Sequence, residues 1–131
     1  MISENKRLIG VADGVGGWNS YEICSGKLSK FLCKRLSEMY GADNSRKLKD
    51  IFYEGIHEAV AVTEGGSTTM VLAKLEPEIT AENTVKMPAL NLGDSAIMVL
   101  HPNQDGSISK TLRSKEQVWA FNAPEQCGHR C

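Results

Sequence analysis

The chain has 131 residues, 41% of them hydrophobic and 24% charged, and a formal net charge of -1 at pH 7. That length suits one domain able to bury roughly two-thirds of its unfolded surface, and the near-neutral balance gives no electrostatic basis for binding nucleic acid or an anionic membrane. No apolar run approaches the ~20 residues of a membrane span, and the opening Met1-Ile2-Ser3-Glu4-Asn5-Lys6-Arg7 has no signal-peptide core and leaves no room for a targeting segment before the first predicted strand.

That strand is the apolar run Leu8-Ile9-Gly10-Val11-Ala12. It leads into Asp13-Gly14-Val15-Gly16-Gly17-Trp18. A carboxylate at a strand end is aimed at one point. The glycines let the backbone turn sharply and bring its carbonyls close to a cation. Hard divalent ions such as Mg²⁺ and Mn²⁺ take oxygen ligands of this kind. Taken alone, the cluster reads more plainly as a strand-to-loop turn without a ligand. A dinucleotide fingerprint fails, because the third position after Gly16 is Asn19 and not glycine.

Residues 21–40 carry Leu28, Leu32 and Leu36 at four-residue spacing, with Phe31 and Met39 alongside, which predicts an amphipathic helix. Lys27, Lys30, Lys34 and Arg35 fall on its more exposed positions and read as a solvated face. Gly41 is the expected terminator, followed by a loop. A second amphipathic helix is expected over 47–62, with Leu48, Ile51, Phe52, Ile56 and Ala59 as its buried stripe and His57 at the rim.

Beyond Glu64-Gly65-Gly66, residues 67–75 read as a half-buried strand rich in Thr68, Thr69, Val71 and Leu72. Two more strands are expected at 85–92 and 95–101, joined by a tight hairpin turn at Gly93-Asp94 that sets Asp94 at a sheet edge. Asp94 is read equally well as a turn aspartate placed for backbone geometry. Asn103-Gln104-Asp105-Gly106 signals another hairpin, with a return strand over 107–112. Short meandering strands with two helices inserted after the first predict an α+β fold, an antiparallel sheet or sandwich with helices packed on a face.

Of the four cysteines, Cys24 and Cys33 fall in the helical pattern and are expected as buried free thiols, in keeping with a reducing compartment. Cys127, His129 and Cys131 have a metal-like spacing, but three ligands at a terminus make a poor zinc site without a fourth.

Several motifs occur together in a fixed order: Ala12-Asp13-Gly14-Val15-Gly16-Gly17-Trp18, Gly66-Ser67-Thr68-Thr69 and Asn91-Leu92-Gly93-Asp94-Ser95. Arg113-Ser114 with Glu116-Gln117, and then Phe121-Asn122-Ala123-Pro124, complete the set. In these the chain resembles the metal-dependent serine/threonine protein phosphatases of type 2C, in the branch with the Ala-Asp-Gly-Val-Gly-Gly-Trp motif. The resemblance runs from about Leu8 to Gln126. It implies an antiparallel β-sandwich flanked by helices, Mn²⁺ or Mg²⁺ as cofactor, and a phosphoserine or phosphothreonine protein as substrate. Carried over by position, Asp13 is the carboxylate bridging two metals, Gly14 lends a backbone carbonyl, and Asp94 serves an additional, weaker metal. The Gly-Ser-Thr strand is expected to be architectural and its hydroxyls not nucleophilic. The implied reaction is hydrolysis of a phosphomonoester by metal-activated water.

Four departures from the family accompany the resemblance. Val15 stands where many members have His, a candidate proton donor. The upstream acidic motif and phosphate-gripping Arg would precede Met1. Further metal carboxylates would follow Pro124. The ending Cys127-Gly128-His129-Arg130-Cys131 does not look like the family. The expected organisation is therefore a partial phosphatase-like domain over 1–126 with a divergent tail over 127–131. The alternative to a phosphatase is a truncated, catalytically inactive interaction module. Organellar, mitochondrial localisation follows from the resemblance only; otherwise the chain reads as cytoplasmic. Composition leaves the oligomeric state open.

Overall fold

Helices α1 (Gly26–Ala42) and α2 (Leu48–Val62) lie against strands β1 (Leu8–Val11) and β3 (Met70–Lys74) in the computed structural model, which describes residues 1–129. The periodicity explains this layer. Leu28, Leu32, Leu36 and Met39 of α1 and Leu48, Ile51, Phe52 and Ala59 of α2 form one buried cluster with Leu8, Met70 and Leu72 of the sheet. Gly55 lets the helices approach closely: a side chain there would meet Leu36 Cδ2 at 3.0 Å and Leu32 Cδ1 at 3.1 Å. Arg35, expected on the solvated face, instead turns to α2 and binds Glu58 with two guanidinium nitrogens.

The sheet is antiparallel throughout, in the order β1-β3-β4, with β4 at Ala89–Leu92. Leu8 pairs with Lys74 and Val11 with Val71, and Met70 pairs with Leu92. Leu8, Met70 and Leu72 face the helices. On the other face Ile9, Val11, Val71 and Ala73, with Ala96, Ile97 and Met98, line an apolar cleft of about 450 Å³. Strands β5 (Met98–Pro102) and β6 (Ile108–Arg113) form the hairpin announced by Asp105-Gly106, while β7 (Val118–Ala120) and β8 (Ala123–Pro124) form a smaller one. The α+β expectation, with antiparallel strands and helices on a face, holds.

Several local expectations are corrected. The predicted strand over 67–75 breaks at Thr69 into β2 (Ser67–Thr68) and β3, and it is buried on both faces, not half-buried. On the cleft side of the sheet Val71 and Ala73 keep only 6% and 2% exposure, because they lie at the floor of that cleft between the flanking strands β1 and β4. No hairpin forms at Gly93-Asp94: β4 pairs with β3, and β5 pairs with β6. The backbone of Gly93 turns out of the sheet at φ 99° and bonds residue 117 instead, accepting from the Gln117 N–H at 2.8 Å and donating to its Oε1 at 3.2 Å. The strand expected from 85 begins at Ala89. The helix expected from 21 begins at Gly26, after a 3-10 turn at Gly16–Tyr21, and it passes through Gly41 to Ala42. Cys24 thus precedes the helix and is exposed, while Cys33 is half-buried and burial raises its thiol pKa.

Strand β9 (Cys127–Gly128) pairs with β2, so the chain is folded back onto the sheet region through residue 129. Its placement requires glycine at 128, where φ is 136° and a Cβ would meet Gly66 O at 2.5 Å.

Candidate functional site

Strand β1 delivers Asp13 to the break between β2 and β3. The Asp13 carbonyl accepts from the Thr69 N–H at 3.0 Å and from Thr68 Oγ1 at 2.9 Å. The Asp13 N–H donates to Thr69 Oγ1 at 3.4 Å. Gly14 bridges Thr68, and the Val15 N–H donates to Ser67 O at 2.9 Å. Residues 13–15 are therefore held by their backbone, which leaves the Asp13 side chain exposed and unencumbered. The Gly14 backbone presses against the Ser25 carbonyl so closely that no Cβ fits.

Trp18 anchors the far side of this loop. It is 8% exposed and donates from Nε1 to Ser67 Oγ at 2.6 Å, and Ser67 Oγ in turn bonds Gln126 Oε1. The loop bearing the acid is thus fixed to both β2 and the segment after β8.

Asp94 arrives by a different route. The turn at Gly93 projects it, half-buried, toward the same place, and the adjoining Ser95 Oγ meets Thr69 Oγ1 at 2.8 Å. Asp13, Gly14, Val15, Gly16, Gly17, Thr69, Asp94, Asn122 and Pro124 all line one cleft of about 410 Å³. The structure therefore brings together all three residues expected at a metal site. No lysine, arginine or histidine is among these lining residues. Neither carboxylate has an ion-pair partner among the described residues. Two uncompensated carboxylates beside backbone carbonyls and an amide side chain form a hard-oxygen donor set, which suits Mg²⁺ or Mn²⁺ better than softer metals.

The donor set is small. Among the described residues no group of three His, Cys, Asp or Glu side chains converges on one point. The zinc-like spacing near the end includes Cys131, which lies outside the described residues. Within them, Cys127 Sγ donates to Thr68 O at 3.5 Å and His129 Nε2 pairs with Thr63 Oγ1 at 3.1 Å. A larger apolar cleft of about 620 Å³ between α2 and β4, lined by Leu48, Phe52, Ile56, Leu90 and Leu92 among others, contains no carboxylate. Its volume is greater, but its chemistry is not that of a cation or phosphate site.

Asn122, legible in the sequence only within the Phe121-Asn122-Ala123-Pro124 motif and not expected as a site residue, also lines the cleft. It occupies the turn between β7 and β8 with φ 56°. The available signal is local: asparagine tolerates the left-handed region better than other side chains. Its arrival at the cleft depends on how the hairpin docks, which no spacing encodes.

No protein-family model matches the chain. The chain is 36% identical over 123 residues to "Protein phosphatase PTC7 homolog fig" of Drosophila grimshawi, covering 90% of this chain and 36% of that protein. It is 32% identical over 127 residues to "Protein phosphatase 2C homolog 7, mitochondrial" of Saccharomyces cerevisiae, covering 89% of this chain and 34% of that protein. The chain thus spans about a third of the length of these curated relatives. Among solved structures it is similar to the photosystem II phosphatase PBCP, with a TM-score of 0.70 at 20% identity over 99% of this chain and 47% of that one.

Proposed function

From the premise that the chain belongs to the type 2C protein phosphatase family, we propose that the Asp13–Asp94 cleft is the metal-holding part of a Mn²⁺- or Mg²⁺-dependent protein serine/threonine phosphatase site. The observation that carries this reading is convergence. Asp13, Gly14 and Asp94 come from separate stretches of the chain and line one cleft free of cationic side chains.

In this reading the Asp13 carboxylate and the Gly14 carbonyl hold one part of the metal centre and Asp94 an outer part. Bound there, divalent ions supply a water acidic enough to act as a nucleophile near neutral pH and offset the charge that builds on the phosphoryl oxygens. The chain's own contribution is placement. Thr68 and Thr69 fix the Asp13 backbone, so only its free side-chain torsions have to be ordered on binding. Val15 lines the cleft and cannot donate a proton to the leaving group. The substrate class is a protein carrying phosphoserine or phosphothreonine. The name of the yeast relative supports a mitochondrial setting.

A second reading, an interaction module without turnover, is favoured by the small donor set among the described residues. Mn²⁺ titration by calorimetry, paired with hydrolysis of a chromogenic phosphomonoester, separates the two. The phosphatase reading expects saturable Mn²⁺ binding and turnover, both lost in Asp13→Ala. Binding that is unchanged in Asp13→Ala refutes the site. Binding without turnover by homogeneous protein selects the interaction module.

A further inference from the structure

We propose that Thr69 is a positioning residue that couples the Asp13 loop to the Asp94 turn through a single hydroxyl relay. The purpose of this coupling rests on the metal-site reading above; its existence does not.

Thr69 is 2% exposed and sits at the break between β2 and β3. Its Oγ1 accepts from the Asp13 N–H at 3.4 Å and lies 2.8 Å from Ser95 Oγ. A hydroxyl has one proton and two acceptor lone pairs. With one lone pair facing Asp13, the proton is free to go to Ser95, giving a chain of like-directed bonds from the Asp13 amide through Thr69 to Ser95. Hydrogen bonds in such a chain polarise one another. The methyl group has a separate task. It packs on Gly93, where a side chain would meet Thr69 Cγ2 at 2.7 Å and Thr69 Cβ at 2.9 Å.

Thr68 does not share this role. Its hydroxyl lies 2.9 Å from the carbonyl oxygens of both Asp13 and Thr69, which share its one proton, and reaches nothing in the Asp94 turn. Ser95, for its part, makes no hydrogen bond to the Asp13 loop except through Thr69. The hydroxyl at 69 is therefore the side-chain link between the two acid-bearing loops, beside the backbone bond from the Thr69 N–H to the Asp13 carbonyl. A ligand that orders Asp13 would order Asp94 through it, and the reverse.

The experiment is amide hydrogen exchange on the metal-free chain and on its Thr69→Val, Thr69→Ser and Ser95→Ala variants, followed by Mn²⁺ calorimetry on each. Valine keeps the shape and removes the relay; serine keeps the relay and removes the methyl. Thr69→Val should raise exchange together, by tenfold or more, at the Asp13 amide and, in the Asp94 turn, at the Gly93 amide that donates to Gln117 Oε1, and Thr69→Ser should restore both. Ser95→Ala should raise exchange at the Asp13 amide, which Ser95 does not touch; a merely structural Thr69 would not transmit that change. Mn²⁺ affinity should fall about tenfold in Thr69→Val and Ser95→Ala. Exchange that rises at one loop only, or a Ser95→Ala variant with an unaltered Asp13 amide, overturns the coupling. Wild-type protein that binds no Mn²⁺ overturns the metal-site reading instead, while the exchange data still decide the relay.

Discussion

Alanine at Gly93 and alanine at Gly41 are the same chemical change with opposite expected signs. Gly93 is buried at φ 99°, and a Cβ there would lie 2.7 Å from the Glu125 carbonyl oxygen and 2.7 Å from Thr69 Cγ2. A side chain in this backbone region costs about 1–3 kcal/mol. Overpacking against a backbone oxygen and a buried threonine adds about 1–3 kcal/mol. The sum, about 2–6 kcal/mol, is a large fraction of the ~5–15 kcal/mol that holds an ordinary domain folded. Gly41 lies in the last turn of α1, and a methyl group at its Cβ position would have nothing within 4 Å. There alanine should stabilise by about 0.5–1 kcal/mol, since it restricts the unfolded chain and suits a helix. The assay is urea unfolding at equilibrium. With a slope of roughly 2 kcal/mol per molar urea for a chain of this size, Gly93→Ala should lower the midpoint by about 1–3 M and Gly41→Ala should raise it slightly. A Gly93→Ala midpoint within error of wild type would refute the close packing of the Asp94 turn against Thr69.

Three further outcomes are expected. Lys74, with its side chain 4% exposed, donates to Asn44 O at 3.0 Å and Arg46 O at 3.3 Å and pairs with Glu76 at 3.2 Å; Lys74→Met should cost on the order of 2–4 kcal/mol in guanidinium unfolding, because it strands those acceptors. The Arg35 hydrogen bonds hold the Glu58 carboxyl below its ordinary 4.5; a folded-state pKa lowered in this way gives stability that is full above 4.5 and fades as pH falls through the folded value. The melting-temperature gap between wild type and Glu58→Gln should therefore close in acid, and a gap that persists there would contradict the pairing. Among the three described thiols, alkylation read by mass spectrometry should label Cys24 first, then Cys33, and Cys127 last, because burial pushes the Cys127 thiol up to about 11. A thiol raised from 9.0 favours the fold below pH 9.0 and withdraws that support as pH climbs through about 11.

Much of the architecture was legible because it depends on local repetition. The leucines of α1 and the stripe of α2 recur at helical spacing, and one face of each is buried as that spacing implies. The Asp105-Gly106 hairpin was legible for the same reason: its turn and both strands are neighbours in sequence. Gly93-Asp94 carries nearly the same signal and makes no hairpin. Dipeptide chemistry specifies that the chain turns, not which strands then pair, and here Gln117 takes the backbone groups of Gly93. Thr69 shows the other limit. Its residue type reads as strand, yet its consequence lies in touching two loops brought from distant parts of the chain. Asp13 and Asp94 were legible through their motifs; the cleft that unites them with Asn122 was not.

The register of β1 on β3 carries a consequence for the order in which the molecule forms. Asp13 and Thr69 meet across 56 positions, with both helices in the intervening loop. Closing such a loop costs roughly 3–4 kcal/mol of chain entropy before any strand pairing offsets it. The helix pair has no such barrier, since its contacts are near in sequence and form on faster timescales. The acid-bearing cleft is thus a late product of folding, absent until β1 docks. It should also be an early loss on unfolding, disappearing while the helices still hold together.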